Sequence, residues 1–489
     1  MRTKRNIGIM GAGLGGLSAA VHLAEKGFKV SVFEQNNYTG GKAGNFHLGG
    51  FRFDTGPSLL TMPFILRELI KLHGENIEEY LTISPLKVTC KYFYPDGKII
   101  NAYSNPDEFA EEIESKTCDS ISSVKKYLNY CRNIYELTTE LFLFSPEINL
   151  RTFLNPKIYK SIINIKRIDP FRTMHKANQS FFKDPKTIQL FDRYATYNGS
   201  NPYQAPATLN IIPYVELSLG GYIVEEGIYA IPEALRKLGE KRGVDFYLNH
   251  KVEKLLIKNR EVLGLKSNGK DYFFDSVISN IDIGYTHKYL LENSWSDKNE
   301  PSLSGIVYYW GIKGNHSSLE THNIIFSDNY KKEFDDIFLH KKCPDDPTVY
   351  IYISSKFKKD DAPEGFENWF VMVNAPYNNG QDWNSDIDKV RKVIKQKIKD
   401  VLGIDLSMKI VIEAVLSPPD IEKRTGSLHG SIYGSSSNSK AAAFRRYALK
   451  SKSNRNLYFC GGSVHPGGGV PLVLLSGKHV AEIIKREVK

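Results

Sequence analysis

The stretch Asn6-Ile-Gly-Ile-Met10-Gly11-Ala-Gly13-Leu-Gly-Gly16 decides the fold. Its first five residues read as a short buried strand, and Leu14 to Lys26 carries apolar residues at helical spacing, at Leu14, Leu17, Ala20, Val21 and Ala24. Between them lies Gly-x-Gly-x-x-Gly. The first glycine permits a tight turn, the second lets the backbone approach a pyrophosphate, and the third lets helix pack on strand. The helix N-terminus then offers unpaired N–H groups to the anion. The pattern alone is weak. It gains force from Lys29-Val-Ser-Val-Phe-Glu34, which reads as the next strand and ends in a carboxylate 18 residues beyond Gly16. That carboxylate is placed to accept hydrogen bonds from both hydroxyls of an adenosine ribose, and it argues against a 2′-phosphate and hence against NADP. A glycine turn beside a surface glutamate is the plain structural alternative.

Composition sets the frame around this unit. The chain has 489 residues, 65 Lys+Arg against 55 Asp+Glu and 41% hydrophobic residues, which suits two or three folded domains and excludes global disorder. The five cysteines, Cys90, Cys118, Cys131, Cys343 and Cys460, are odd in number and form no CxxC pair. They support neither a disulfide framework nor a zinc site, so no metal is expected and a reducing compartment fits. After Arg2, Lys4 and Arg5, the 19 residues Asn6 to Ala24 are uncharged and have the length of a membrane span. Five of them are glycines grouped as a strand-to-helix turn requires, so the stretch reads as neither signal peptide nor spanning helix. Membrane contact, where it occurs, is expected to be peripheral.

NAD and FAD share the N-terminal unit, and the next segment separates them. Gly40-Gly41-Lys42-Ala-Gly44 lets a second backbone stretch approach the pyrophosphate, with Lys42 offsetting its charge. Here the chain resembles the large family of FAD oxidoreductases that carry a diglycine and a basic residue after the second strand. Lys42 replaces the commoner Arg, which keeps the charge and loses the bidentate fork. The run Gly50-Phe-Arg-Phe-Asp54-Thr55-Gly56-Pro57-Ser58-Leu-Leu-Thr-Met-Pro63 is similar to the bacterial phytoene desaturase group, the carotenoid desaturases and their saturase relatives. The resemblance implies that Thr55 and Gly56 lie beside the flavin ring. Gly56-Pro57 makes a fixed turn, and Asp54 is read as a structural residue capping it.

Asn456-Leu-Tyr-Phe-Cys460-Gly-Gly-Ser-Val464-His-Pro-Gly-Gly-Gly469-Val-Pro471 reads as strand, glycine loop and helix start. The resemblance implies that Gly461 and Gly462 pass the ribityl chain. It also implies that the loop ending near Val470 sets a helix N-terminus against the flavin pyrimidine, favouring the charge that develops when N5 accepts a hydride. Ser463 stands where many flavoenzymes have an acid; the carotenoid desaturases lack that acid as well.

In the middle, Glu226-Gly-Ile-Tyr-Ala-Ile-Pro-Glu-Ala-Leu235 resembles a family turn-and-helix whose first residue is usually glycine, so Glu226 leaves the turn geometry open. Val244 to Leu248 reads as a sheet strand. Val252 to Phe274 reads as a β-meander with turns at Asn259-Arg260 and Asn268-Gly269, and Ser276 to Ser279 returns to the sheet. The resemblance implies that the backbone near Val252 meets the adenine. The expected fold is α/β: a Rossmann-like FAD-binding domain of the glutathione-reductase type, with an inserted substrate sheet and a helical membrane-facing region. The FAD domain is expected at 1–75, 225–290 and 415–489, the substrate domain at 76–104, 200–224 and 291–414, and the helical subdomain at 105–199. Val307-Tyr-Tyr-Trp310 and Val349-Tyr-Ile-Tyr-Ile353 are strand candidates for a sheet roofing the flavin. The 28 Tyr and 26 Phe suit a long apolar tunnel or ordinary core packing.

From Arg151 to Lys176 the bases Arg151, Lys157, Lys160, Lys166, Arg167, Arg172 and Lys176 face one acid, Asp169, with Phe153, Ile158, Ile162 and Phe171 among the interleaved apolar residues. Such a segment suits the headgroup layer of an anionic membrane; a solvated helical face is the rival reading, and no motif supports nucleic acid. The resemblance implies FAD-dependent carotenoid desaturation, by hydride transfer to flavin N5 and loss of a neighbouring proton. Quinone or oxygen would take the electrons, on the cytoplasmic, inner face of the membrane. Tyr194-Ala-Thr-Tyr-Asn-Gly-Ser-Asn-Pro202, His322-Asn-Ile-Ile-Phe-Ser327 and Ala375-Pro-Tyr-Asn-Asn-Gly-Gln-Asp-Trp383 look most similar to flavobacterial hydroxycarotenoid 3,4-desaturases, with phytoene desaturase next. A saturase, a flavin amine oxidase and a prenyl-lipid binding protein similar to GDP-dissociation inhibitors are the remaining readings. The sequence assigns no catalytic base; His465 is either that base or a loop histidine bonded to backbone.

Overall fold

The computed structural model describes residues 5–147, 165–291, 300–439 and 446–488. Strands from distant parts of the chain form a five-stranded parallel sheet, in the order Leu457–Phe459, Ser276–Ser279, Asn6–Met10, Lys29–Phe33, Asp245–Tyr247. Its central strands are almost wholly buried, as a sheet covered on both faces requires. The helices Leu14–Glu25 and Val470–Val488 lie against each other on it. Gly477 allows this contact, since a side chain there would start 2.5 Å from Gly15 O, and the Ser18 hydroxyl donates to Leu474 O at 2.7 Å.

An antiparallel sheet of Val252–Lys258, Glu261–Ser267 and Lys270–Phe273 covers the same core. Its two turns have left-handed pairs at Asn259-Arg260 and Asn268-Gly269, the twist-matched geometry of two-residue hairpins. The Phe33 ring stacks on Tyr247 at 4.8 Å, and Gly8 leaves room for Phe274.

The second large sheet has seven strands: Ile410–Leu416, Ser304–Lys313, Phe366–Ala375, Val349–Tyr352, His322–Ile325, Val88–Phe93 and Ile99–Tyr103. Period-two alternation gives it two apolar faces. One packs Trp310, Trp369 and Ile351 against the helix Trp383–Leu402 through Val390, Ile394 and Ile398. The other turns toward the parallel sheet. The helices Pro106–Lys116, Ile121–Thr138, Met174–Gln179, Pro185–Asp192 and Ile211–Leu217 share a core of Phe109, Tyr127, Phe191 and Tyr194 with the edge of this sheet.

Two sequence expectations change here. The turn before Ala230–Lys241 takes its positive φ, +89°, at Gly227, while the Glu226 carboxylate accepts from the Thr82 N–H at 3.0 Å, so no glycine is needed at 226. Asp54 does not cap Gly56-Pro57. It pairs with Arg52 at 2.7 Å and accepts weakly from the Ile228 N–H, and Arg52 also pairs with Asp361 at 3.1 Å, all three being buried. The expected membrane-facing segment falls mainly on 148–164, outside the described residues. Of its basic residues, Arg172 pairs with Asp169 at 2.6 Å, and nearby Phe171 is 69% exposed. Among the described residues no helix is long and apolar enough to cross a membrane.

Candidate functional site

Between the two sheets lies a cavity of about 1080 Å³. Gly11, Glu34, Asn280 and Gly461 follow directly, or after one residue, the strands ending at Met10, Phe33, Ser279 and Phe459, and all four line it. The cavity thus opens at the carboxyl ends of the parallel strands, where open α/β sheets bind ligands.

The glycine loops build its floor. Gly11 has φ +92° and donates to Phe33 O at 2.7 Å, turning the chain sharply off the strand. Gly13 precedes the Leu14–Glu25 helix without a side-chain cap, and the first turn holds no acid, so its N–H groups remain available to an anion. The diglycine loop lies alongside, with Gly40 N donating to Ala12 O at 2.8 Å. The Glu34 carboxylate accepts from Ala12 N at 2.8 Å, Asn36 N at 2.9 Å and Asn36 Nδ2 at 2.7 Å. Burial still pushes its pKa up against these bonds. Thr55 and Gly56 clasp the diglycine loop: Thr55 N donates to Gly44 O at 2.8 Å, and a side chain on Gly56 would start 2.2 Å from Lys42 O.

Eleven of the twelve sequence-derived positions line this one cavity: Gly11, Gly13, Glu34, Gly41, Lys42, Thr55, Gly56, Val252, Gly461, Gly462 and Val470. Gly16 does not. A side chain there would start 2.2 Å from Gly11 O, so this glycine serves the helix-to-strand packing and not the cavity wall. Lys42 lines the cavity and is engaged within the protein. Its ammonium donates to the carbonyls of Ser431 and Ile432, at 3.3 and 2.5 Å, and burial lowers its pKa to about 8 while Asp282 opposes the shift.

Three lining residues escaped the sequence reading. Asn280 donates to Gly11 O at 3.1 Å and packs against Gly13, Gly15 and Gly461, joining three loops. Its place directly after the Ser276–Ser279 strand was the available signal. Asp282 lies beside Ser463, whose hydroxyl accepts from Ile283 N at 3.0 Å, so a carboxylate sits next to the position where one is missing from the loop. Arg424 has a buried Nε with no partner, and no local pattern marked it.

The opposite wall is the seven-stranded sheet. Cross-strand register puts Ile324, Tyr350, Met372, Val307 and Leu416 in one row, all lining the cavity. Only eight tyrosines and phenylalanines reach the cavity among the described residues, so most of the aromatic content is core. Polar groups do interrupt the wall. Ser58 Oγ and Tyr350 Oη are 2.6 Å apart, and Tyr350 Oη lies 2.7 Å from His322 Nδ1. Burial lowers the His322 pKa to about 3, so the ring is neutral. Nearby, Arg193 pairs with Glu216 at 3.0 Å, and Tyr194 and Tyr197 donate to the same carboxylate. His465 Nε2 lies 2.9 Å from Ser145 O; a carbonyl only accepts, so Nε2 carries the hydrogen and the histidine is bonded to backbone.

The family pattern described as flavin containing amine oxidoreductase matches residues 14–310. The chain is 42% identical over 480 residues to a 1-hydroxycarotenoid 3,4-desaturase of Flavobacterium sp. (strain P99-3), covering 97% of this chain and 98% of the relative. It is 34% identical over 494 residues to a 4,4'-diaponeurosporene oxygenase of Staphylococcus aureus (strain bovine RF122 / ET3-1), covering 99% of each. A solved putrescine oxidase variant shares the fold, with a TM-score of 0.64, 12% identity and 99% of each chain covered. The chain belongs to the flavin-containing amine oxidoreductase family and is a flavin-dependent oxidoreductase.

Proposed function

We propose that the chain is an FAD-dependent desaturase that forms the C-3,4 double bond of an acyclic 1-hydroxycarotenoid. The observation that carries this reading is one continuous cavity in which glycine loops face an apolar sheet. At about 1080 Å³ it lies at the upper end of the ~300–1,000 Å³ range of ligand sites, and its lining joins the glycine loops to the apolar sheet.

The residues present fit a dinucleotide. Gly11, Gly13 and Gly41 keep side chains out of the floor, Glu34 and Val252 suit the adenosine end, and the Arg424 cation suits the diphosphate. Thr55, Gly56, Gly461, Gly462 and Val470 suit the flavin and ribityl end, with Lys42 and Asp282 beside them. An adenosine end with its own carboxylate favours FAD over FMN. Bound there, the flavin supplies the hydride acceptor. The protein's own work is to align a rod-like hydrocarbon along Val307, Ile324, Met372 and Leu416 and to exclude water, while the polyene spreads developing positive charge. We assign no catalytic base. The three-segment flavin domain, 1–75, 225–290 and 415–489, belongs to the same proposal. So does peripheral contact with the cytoplasmic membrane face through the basic, apolar segment Arg151 to Lys176, with quinone or oxygen as final acceptor.

The 42% identity to a relative named for 1-hydroxycarotenoid 3,4-desaturation supports the substrate; the 34% identity to an oxygenase supports a second reading, oxygen insertion. The test supplies FAD-loaded protein in liposomes with an acyclic 1-hydroxycarotenoid and, separately, with phytoene. The expected result is loss of two hydrogens by mass and a red shift, with the hydroxylated substrate. Conversion of phytoene alone would make the chain a phytoene desaturase, and a mass gain of one oxygen would make it an oxygenase.

A further inference from the structure

Against the sheet wall of the cavity, three polar side chains from separate segments meet. Ser58 comes from the loop after Gly56, Tyr350 from the Val349–Tyr352 strand, and His322 from the neighbouring His322–Ile325 strand. They form a continuous hydrogen-bonded chain, 2.6 Å from Ser58 Oγ to Tyr350 Oη and 2.7 Å from there to His322 Nδ1. The chain stops at His322, whose Nε2 is buried without a partner in a residue only 2% exposed that lines the cavity. Buried polar atoms are rarely left unpaired, so an orphan in a side chain that lines a ligand cavity calls for a partner that the filled cavity supplies.

We propose that His322, positioned by Tyr350 and Ser58, is the hydrogen-bond partner of the substrate's hydroxyl group. This rests on the reading of the substrate as a hydroxylated polyene. An alcohol is neutral and both donates and accepts, and so does a neutral imidazole linked to two hydroxyls, because the protons along the chain can reverse direction. Burial and the nearby Arg193 charge keep the ring neutral, which suits an alcohol better than an anion. The location also suits the chemistry. A hydroxyl on C-1 lies two carbons from C-3, so its partner must stand close to the reacting bond. Ser58 is two residues along from Gly56, on the loop assigned to the flavin side. The remainder of the polyene then runs along the Ile324, Met372 and Leu416 row. Tyr352 and Tyr350, whose rings lie nearly parallel to His322 with centroids at 5.1 and 6.1 Å, fix the imidazole plane.

The test is equilibrium binding to the FAD-loaded protein in detergent micelles, read by perturbation of the flavin absorption. The probes are an acyclic 1-hydroxycarotenoid and the same carotenoid lacking the hydroxyl. The wild type should bind the hydroxylated probe roughly tenfold to a hundredfold more tightly. His322→Phe should bring the two affinities together by weakening only the hydroxylated probe, and His322→Gln should restore part of the difference. Tyr350→Phe, which keeps the ring and removes the link, gives an intermediate ratio and serves as the independent variant if His322→Phe does not retain FAD. Equal affinities in the wild type, an unchanged ratio in both His322→Phe and Tyr350→Phe, or equal weakening of both probes would overturn the proposal. Binding is measured apart from turnover: discrimination that depends on His322 without loss of two hydrogens would uphold the subsite and refute the desaturase reading.

Discussion

The glycine floor and the sheet wall of the same cavity are built on opposite plans. On the floor, backbone does the shaping: Gly11, Gly13 and Gly41 bring the main chain close, and Glu34 is held by three donors within two residues of Ala12 and itself. On the wall, side chains do it: rows of apolar residues are aligned by strand register, and His322 Nε2 stays unpaired among them. A backbone-lined site tolerates little change in residue size but is indifferent to most surrounding side chains. A side-chain-lined site can be retuned one residue at a time, so substrate preference belongs to the wall and cofactor retention to the floor.

The sharpest way to break this contrast is Gly16→Ala, because the new carbon would sit 2.2 Å from Gly11 O. It should cost about 4 kcal/mol or more and abolish FAD retention, read by denaturant unfolding and by absorbance of the purified protein. A stable, yellow variant would show that the floor adapts. The next effect concerns the buried pair of Arg193 and Glu216, 7% and 1% exposed. Glu216→Leu should destabilise by roughly 3–5 kcal/mol, since it strands a buried charge, whereas the double change with Arg193→Met should recover most of that loss.

Lys42 gives a smaller, pH-dependent effect. Its folded pKa of about 8 lies below the usual 10.5, so between these values the unfolded chain holds a proton that the folded one has shed. The stability of flavin-stripped protein should therefore rise from pH 8 toward 10.5 relative to Lys42→Met, and the burden of the buried charge should be fully present below pH 8. Thermal unfolding of both proteins across that range checks the sign. The smallest expected change is Glu226→Ala, which removes an exposed acceptor for Thr82 N and should cost about 1 kcal/mol or less because Gly227 sets the turn.

The floor was legible in the sequence because its information is local. Gly-x-Gly-x-x-Gly, the Glu34 carboxylate and the Asn259-Arg260 turn each sit within one strand–turn–strand or strand–turn–helix unit, where residue type fixes backbone conformation. Gly16 has the packing role that its place in the pattern assigns, although it does not line the cavity. The wall was legible only as strands. Val307–Trp310 and Val349–Ile353 read as sheet, yet which residues share a face with Ser58 depends on register between segments about 265 to 290 residues apart, which no local pattern encodes. Arg424 and Asp282 reach the cavity through the same kind of distant contact.

The most direct test of the central claim is a single anaerobic turnover. FAD-loaded protein is mixed with a stoichiometric acyclic 1-hydroxycarotenoid while flavin and polyene absorption are followed together. The account predicts bleaching of the flavin band at the same rate as the red shift of the polyene, with a product two hydrogens lighter. An unbleached flavin with unchanged polyene, or a change that requires oxygen and adds an oxygen atom, would contradict it.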